Sequence, residues 1–298
     1  MSSKNPGATG PKFAGGASGW LTIPAPLARL FKKFPLLTYP PNELPIRSPR
    51  ARDVATLYVF ISDKDALNGL PSFNPSCLKW QTFLKLAGVD FQVIPSNNHA
   101  SPTGALPFLI PSSSPDAFAT SRPIPSNKLE HYAAENGTHK LPEVPSLKLE
   151  AYESLLDHRI RNAWLYSLYL SRPNSALLSH LYVAPVSSSH IVKTTVLYQL
   201  RYAAEAEILR SIGTQAVDSR KLYVEVREAF EALSTVLGSG DWFFDALEPS
   251  LFDATVFSYT HLLLDEGLAW EDKRLSEIVS EFPNLVEHRN RILQRCWS

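Results

Sequence analysis

The stretch from Thr56 to Ile110 constrains the fold of this chain most, because strand and helix signals alternate along it in a fixed order. It opens with an apolar run, Thr56 to Ser62, which is short, rich in aromatic and β-branched residues and bounded by polar ones, as buried strands are. A helix is predicted to start at Asn74-Pro75, since asparagine caps free N–H groups and proline fits the first helical turn. Two further strands are predicted, at 91–95 and 106–110.

The predicted helix has one apolar face. Cys77, Trp80, Leu84 and Ala87 recur at helical spacing, so we expect them to face the core. Gly88 suits the position just past the end of a helix.

A strand, a helix, a strand and then a strand opening on X-Pro is the order of a thioredoxin-like half-domain. The order resembles that of glutathione-transferase-like proteins, in which the matching proline is cis. Because cis peptide bonds are almost confined to X-Pro, Leu106-Pro107 is the candidate, and Pro107 is predicted to be structural.

The amino-acid composition is that of an ordinary soluble protein. With 298 residues, 44% of them hydrophobic and 19% charged, it can hold two domains with separate cores. Its two cysteines, Cys77 and Cys296, lie far apart and match no metal-ligand spacing. No apolar run approaches the roughly 20 residues of a membrane-spanning helix, so we expect any membrane contact to be peripheral.

Charge is distributed unevenly along this neutral chain. Residues 1–53 have only two acids, Glu43 and Asp53, so this segment is basic and the remainder is acidic. The basic residues of the segment are Lys4, Lys12, Arg29, Lys32, Lys33, Arg47, Arg50 and Arg52. Such an arm can dock on its own body, on an acidic partner or on anionic lipid, or remain solvated.

The sequence predicts four regions. Residues 1–19 form a disordered, Gly/Ser/Ala-rich tail, and 20–53 a basic, proline-rich docking segment. Residues 54–140 form the thioredoxin-like domain, and 141–298 an all-helical domain, since helical periodicity continues from Ser146 onward.

The docking segment holds a short amphipathic helix followed by an extended proline-rich stretch. Eight helical residues are too few to be stable alone, and their apolar side chains need a surface to pack on. The predicted partner-binding residues are Leu27, Arg29, Leu30, Phe31, Lys32, Lys33, Phe34 and Tyr39. The open alternatives are packing on the protein's own body and a cleaved mitochondrial presequence.

A capping box is predicted at Ser250-Leu251-Phe252-Asp253. The Ser250 hydroxyl can accept from the N–H of the third helical residue, and Asp253 can accept from the N–H of Ser250. Ser250 and Asp253 are therefore predicted to be structural. A capped, buried helix at this point of a second domain is also a hallmark of the glutathione-transferase fold.

At these residues the resemblance narrows to the metaxin family. Four stretches are similar to its members: 74–80 (NPSCLKW), 93–98 (VIPSNN), 249–257 (PSLFDATVF) and 282–292 (FPNLVEHRNRI). The start, 27–39 (LARLFKKFPLLTY), resembles the smaller fungal metaxin-like peripheral subunit of the mitochondrial sorting and assembly machinery.

The resemblance implies an α+β, glutathione-transferase-like fold, with a thioredoxin-like α/β domain followed by an all-helical domain. It implies a peripheral protein on the cytosolic face of the mitochondrial outer membrane. Its implied partners are the β-barrel core subunit, a second metaxin-like subunit and β-barrel precursors. The implied role is to help receive precursors, including their sorting signal, and to support their insertion.

The alternative is a glutathione-dependent transferase or reductase using Cys77. Ser62, Ser72 and Ser76 are weaker candidates for activating a thiol, while a helix N-terminus can favour the Cys77 thiolate. Two features oppose an enzyme: the core-facing register of Cys77, and Thr120, which stands beside Ser121 where an acid would hold the glutamyl amine.

The sequence therefore favours a non-enzymatic protein with no cofactor. The histidines show no paired-ligand spacing, and no nucleic-acid motif occurs, so we expect neither metal nor nucleic-acid binding. His131, His158, His261 and His288 are interpreted as surface or satisfied core residues. A third interpretation is a domain that binds phospholipid through its basic arm.

Overall fold

A computed structural model describes residues 53–112, 122–142 and 146–297, with the backbone alone for 146–148. The predicted tail and docking segment lie outside the described residues, apart from Asp53. So do the Thr120-Ser121 pair and residues 118–120 (FAT), where the sequence also predicts a fourth strand.

The N-terminal half is built on a four-stranded sheet in the order β2-β1-β3-β4. β1 and β2 are parallel, whereas β3 pairs antiparallel with β1 and β4 antiparallel with β3. The strands are β1 (Ala55–Val59), β2 (Phe91–Pro95), β3 (Phe108–Ile110) and β4 (Ile124–Pro125). This is the mixed sheet of a thioredoxin-like domain, and it follows the predicted order of elements.

The first and third strands are shorter than predicted. β1 ends at Val59 because Ser62 caps an unpredicted helix, α1 (Asp63–Leu67), by accepting from the N–H of Asp65 at 3.1 Å. The Leu106-Pro107 bond is cis and precedes β3.

Helix α2 (Pro75–Leu86) begins where asparagine and proline predict it. Asn74 Oδ1 accepts from the N–H of Cys77 at 3.2 Å, and Pro75 occupies the first turn. The predicted face is buried, with Cys77 and Leu84 both 0% exposed. Gly88, at φ +69°, follows the helix in the left-handed conformation that glycine favours.

Helices make up the rest of the described chain. α4 and α5 each combine α-helical and π-helical turns. The helices are α3 (Leu129–Asn136), α4 (146–170), α5 (175–183), α6 (His190–Ile212), α7 (Ser219–Leu237), α8 (Leu251–Leu264), α9 (Arg274–Ser280) and α10 (Pro283–Trp297). The predicted fold class is confirmed, although α5 and α9 were not predicted.

Two cores interlock where α2 lies against α8. Leu78 of α2 belongs to the core of the helical half, and Ala254 of α8 belongs to the core under the sheet. At the C-terminus, Trp297 stacks on Phe257 and donates from Nε1 to the carbonyl of Gly69 at 3.0 Å. The sheet and helices therefore fold as one packed body over these residues.

Candidate functional site

The N-terminus of α2 is where thiol chemistry would be expected, and Cys77 is closed off there. Its side chain is 0% exposed, and burial raises the pKa of the thiol to about 12, although hydrogen bonds with the backbone of Phe60 and the side chain of Ser72 act in the opposite direction. The thiolate is the nucleophilic form, so at neutral pH this buried group is protonated and inert.

The candidate serines have structural roles or no catalytic partner. Ser72 is completely buried, and its Oγ donates to the carbonyl of Phe60 at 2.5 Å. Ser62 caps α1, and its Oγ donates to Asp65 at 2.6 Å. Ser76 is exposed on the first turn of α2.

The space in front of α2 is filled by an aromatic cluster, Phe60, Phe73, Tyr169 and Tyr182, whose rings come from both halves of the fold. Tyr182 lies edge-on to Phe60 and to Phe73, with ring centroids 5.3 Å apart in each case. Tyr169 packs on Tyr182 at 6.0 Å.

A polar contact fastens this aromatic cluster to the start of α2. Asn74 caps the helix with its oxygen and donates from Nδ2 to the hydroxyl of Tyr182 at 3.0 Å. Burial raises the pKa of Tyr182 well above its usual range, so the hydroxyl stays neutral. One asparagine therefore caps the helix and ties it to α5, next to the buried Cys77.

The capping box at α8 forms and extends beyond its two predicted residues. Ser250 Oγ accepts from the N–H of Asp253 at 3.4 Å, and Asp253 Oδ2 accepts from the N–H of Ser250 at 2.8 Å. Asp253 Oδ1 accepts from His288 Nε2 at 2.9 Å and from the N–H of Phe243 at 3.0 Å.

This buried network joins two of the stretches that resemble metaxins. Asp253 and His288 are both 0% exposed, and the Phe243 ring lies 5.1 Å from the imidazole. His288 is therefore a core residue with a specific partner, which its sequence position does not reveal. The network holds α10 against the start of α8.

The predicted site residues do not come together in one place. Pro107 lies beside the sheet and Ser250 and Asp253 at α8, while the eight partner-binding residues lie outside the described residues. Over the described ranges, no three His, Cys, Asp or Glu side chains approach closely enough to hold a metal ion. None of the described helices is both long and apolar enough to cross a bilayer.

Comparison with known families agrees with this architecture. The family model for the glutathione S-transferase N-terminal domain matches residues 75–174, and that for the glutathione S-transferase C-terminal domain matches residues 226–292. The chain has glutathione-transferase-like N- and C-terminal domains. No curated protein is significantly similar in sequence.

The chain also matches solved structures that are distant from it in sequence. Glutaredoxin 2 from Salmonella typhimurium, in complex with glutathione, is 17% identical, with a TM-score of 0.49 over 82% of this chain and 95% of that one. Glutathione S-transferase III in its apo form is 18% identical, with a TM-score of 0.45 over 80% and 91%. The β-etherase LigF from Sphingobium sp. strain SYK-6 is 14% identical, with a TM-score of 0.44 over 80% and 95%.

Proposed function

We propose that this protein is a non-enzymatic scaffold, a peripheral subunit of the mitochondrial outer-membrane sorting and assembly complex on its cytosolic face. There it helps receive β-barrel precursors and their sorting signal, and supports insertion by the β-barrel core subunit. A second metaxin-like subunit is its other partner.

The observation that carries the non-enzymatic part is the closed start of α2. Cys77 is buried and protonated, and Tyr182 is hydrogen-bonded to the cap of the same helix. Activating glutathione needs a polar group that can reach the thiol from an open cleft, which this arrangement does not offer.

The metaxin part rests on the resembling stretches, and their placement supports a scaffold. Residues 74–80 start α2, 249–257 start α8 and 282–292 form most of α10. α8 packs against both other helices, and the Asp253–His288 hydrogen bond joins two of these stretches. Residues that build a rigid interior suit a protein that presents surfaces to partners.

The deciding experiment is affinity purification of the tagged full-length chain from detergent-solubilised mitochondrial membranes. We expect the β-barrel core subunit and the second metaxin-like subunit to co-purify, together with an arrested β-barrel precursor. A matrix-targeted precursor is the matched control. Recovery of the chain alone would contradict the assignment.

A parallel assay addresses the alternative, a glutathione-dependent enzyme using Cys77. We expect no conjugation of glutathione to a standard electrophile and no disulfide reduction above the uncatalysed rate. Activity that disappears in Cys77→Ala would show that the protein is a glutathione-dependent enzyme and not a non-enzymatic scaffold.

A further inference from the structure

The outer edge of β2 has no strand beside it within the described residues. β2 is the first strand in the sheet order, and it pairs there with β1 alone. Ser96, just after β2, donates its N–H to the carbonyl of Val59 at 2.9 Å. Backbone groups of successive residues alternate between the two edges of a strand, so Ile94 also faces β1, whereas Phe91, Val93 and Pro95 face outward.

The outward groups offer hydrogen bonds in the pattern of a strand. Phe91 and Val93 each present an N–H and a carbonyl, while Pro95 presents a carbonyl and has no N–H. None of these groups has a backbone partner in the part of the chain that the structure describes. Pro95 agrees with this assignment, because proline in a sheet is confined to positions whose N–H would point away from the ladder. An unpaired edge of this kind is a template for an added strand.

A cleft runs along this edge. All of β2, residues 91–95, lines the cleft, whose volume is about 580 Å³. α1 contributes Ala66 and Leu67 to the lining, and Leu67 is 88% exposed. The space therefore borders both the unpaired backbone of β2 and an exposed apolar side chain.

The charges around the cleft balance. Among the described residues that line it, the acid is Asp63 and the base is Lys85. Lys85 donates from Nζ to the carbonyl of Cys296 at 3.0 Å, and its ammonium lies 5.2 Å from the centre of the Trp297 ring. The end of α10 therefore already engages the base. The lining favours neither an acidic nor a basic ligand, and an uncharged one suits it.

An extended peptide fits these features better than a helix. An extended backbone presents N–H and carbonyl groups at the spacing of β2, whereas a helix uses its own internally. Successive side chains of an added strand point to opposite faces, so apolar residues that face α1 alternate with polar residues that face solvent. The strands of membrane β-barrels have this alternation of apolar and polar residues.

We propose that the outer edge of β2 binds an extended, uncharged segment of a β-barrel precursor, which adds to the sheet as a further strand. The backbone of Phe91 and Val93 holds this segment, and Leu67 packs on its apolar face. The inference deepens the proposed receipt of precursors, on which it rests, by naming the surface and the binding mode.

The test is hydrogen exchange of single amides, measured by NMR on the full-length chain. The probe is a synthetic peptide in which valine and threonine alternate. We expect the amides of Phe91 and Val93 to exchange rapidly in the free chain and to gain about tenfold protection or more when the peptide is added. The amide of Ile94 is the internal control, because it already faces β1 and should not change.

Two altered peptides separate the contributions of backbone and side chains. A peptide of the same composition, with all valines before all threonines, lacks the alternation and should bind more weakly. A peptide that is N-methylated throughout has no N–H to donate and should not bind.

Two substitutions test the surface of the protein. Val93→Pro removes an outward donor in a row that already accepts Pro95, and should weaken peptide binding about tenfold, the scale of one lost hydrogen bond. Val93→Thr keeps the N–H and the branched side chain, and should bind normally. Leu67→Asp should also weaken binding, whereas Leu247→Asp, at a position that is 94% exposed, should not. In the co-purification, Val93→Pro should lose the arrested precursor and keep both partner subunits.

Two outcomes would overturn the proposal. If the peptide left exchange at Phe91 and Val93 unchanged, it would not pair with this edge, whatever the stability of Val93→Pro. If the chain ignored the peptide but dimerised with rising concentration, and Val93→Pro abolished the dimer, the edge would bind a second copy of the chain. Failure of co-purification with protection at Phe91 and Val93 intact would remove the proposed complex and leave the peptide-binding edge standing.

Discussion

His288 Nε2 lies 2.9 Å from Asp253 Oδ1, and both side chains are completely buried. A carboxylate can only accept, so the imidazole must donate from Nε2. The same carboxylate accepts from the backbone N–H groups of Phe243 and Ser250 and from the Ser250 hydroxyl. One side chain therefore ends the loop before α8, caps α8 and anchors α10.

Removing this carboxylate should be far more costly than removing the serine cap. We expect Ser250→Ala to lower the free energy of unfolding by roughly 0.5–2 kcal/mol, as for other N-caps. Asp253→Ala should cost roughly 3–5 kcal/mol, because it leaves buried donors on His288, Phe243 and Ser250 without an acceptor.

Urea melts of both single variants and the double variant measure this difference. The double variant should lose less than the sum of the two, because the residues share hydrogen bonds. Asp241→Ala, whose side chain is 75% exposed, is the matched control and should change stability little. Additive losses would mean that the two caps act independently.

The buried histidine of α8 should make stability sensitive to mild acid. Burial, together with the positive charge of Arg289, lowers the pKa of His261 from 6.5 to about 4, and the negative charge of Asp265 opposes both effects. The unfolded chain therefore binds a proton that the folded chain does not, and stability falls as the pH drops from 6.5 to about 4.

His261→Gln should flatten the pH dependence of the unfolding free energy in this window, whatever it does to stability at pH 7. Urea melts at intervals between pH 7 and 4 give the slope. Leu247→Gln, at a position that is 94% exposed and carries no titratable group, should leave the slope as it is. Equal slopes in His261→Gln and the unmodified chain would contradict the assignment.

A second acid-sensitive window should come from Asp272. Its hydrogen bonds with Arg274, at 2.9 and 2.6 Å, lower the pKa of the carboxyl to about 2; burial opposes this effect, and Ser171 adds a donor at 2.8 Å. The folded-state pKa lies below the ordinary 3.8, so this contribution is present above pH 3.8 and is lost as the pH falls to about 2.

Asp272→Asn should remove this contribution. We expect the variant to be less stable than the unmodified chain at pH 5 and to show a shallower decline between pH 4 and 2. Melts across that range measure both. If the stabilities of Asp272→Asn and the unmodified chain became equal only above pH 5, residues other than Asp272 would be responsible for the loss of stability in acid.

Cys77 should react with alkylating agents only after unfolding. At pH 8 a thiol with a pKa of about 12 is ionised in about one molecule in ten thousand, and Cys77 has no exposed surface. Cys296 is half-buried, and burial raises its pKa to about 11. The experiment uses a Cys296→Ser variant, so that Cys77 is the remaining thiol. We expect iodoacetamide to label Cys77 rapidly only in urea. Rapid labelling of the native protein would instead support the alternative, an enzyme that uses Cys77.

Local signals in the sequence predict well where the helices α2 and α8 begin. The helix start at Asn74-Pro75 and the capping box at Ser250 depend on residues within three positions of each other, so their patterns are visible in the chain. The partners of these residues are not. Tyr182 is 108 residues from Asn74, and His288 is 35 from Asp253, so only the fold brings them together.

Periodicity does not predict helix α5, for a related reason. It combines the single turn Ser175–Leu178 with the π-helical turn Ser179–Val183, so its apolar residues do not repeat every 3.6 positions. This is the element that supplies Tyr182 to the aromatic cluster. Periodicity therefore does not reveal that Tyr182 packs at the start of α2, although the register of α2 predicts a buried Cys77.

The docking segment gives the final prediction, which rests on sequence alone. The sequence pattern predicts one short helix, too short to be stable by itself, with four apolar residues on one face: Leu27, Leu30, Phe31 and Phe34. Burying four such side chains could contribute roughly 6–12 kcal/mol before association costs of about 4 kcal/mol or more. Phe31→Asp with Phe34→Asp should therefore abolish co-purification with the β-barrel core subunit while the melting temperature stays constant.

Phe13→Asp, an aromatic-to-acid change in the predicted tail, is the matched control and should co-purify normally. A lowered melting temperature that precedes loss of the complex would show that these residues support the fold, and unchanged stability and binding would remove them from both roles.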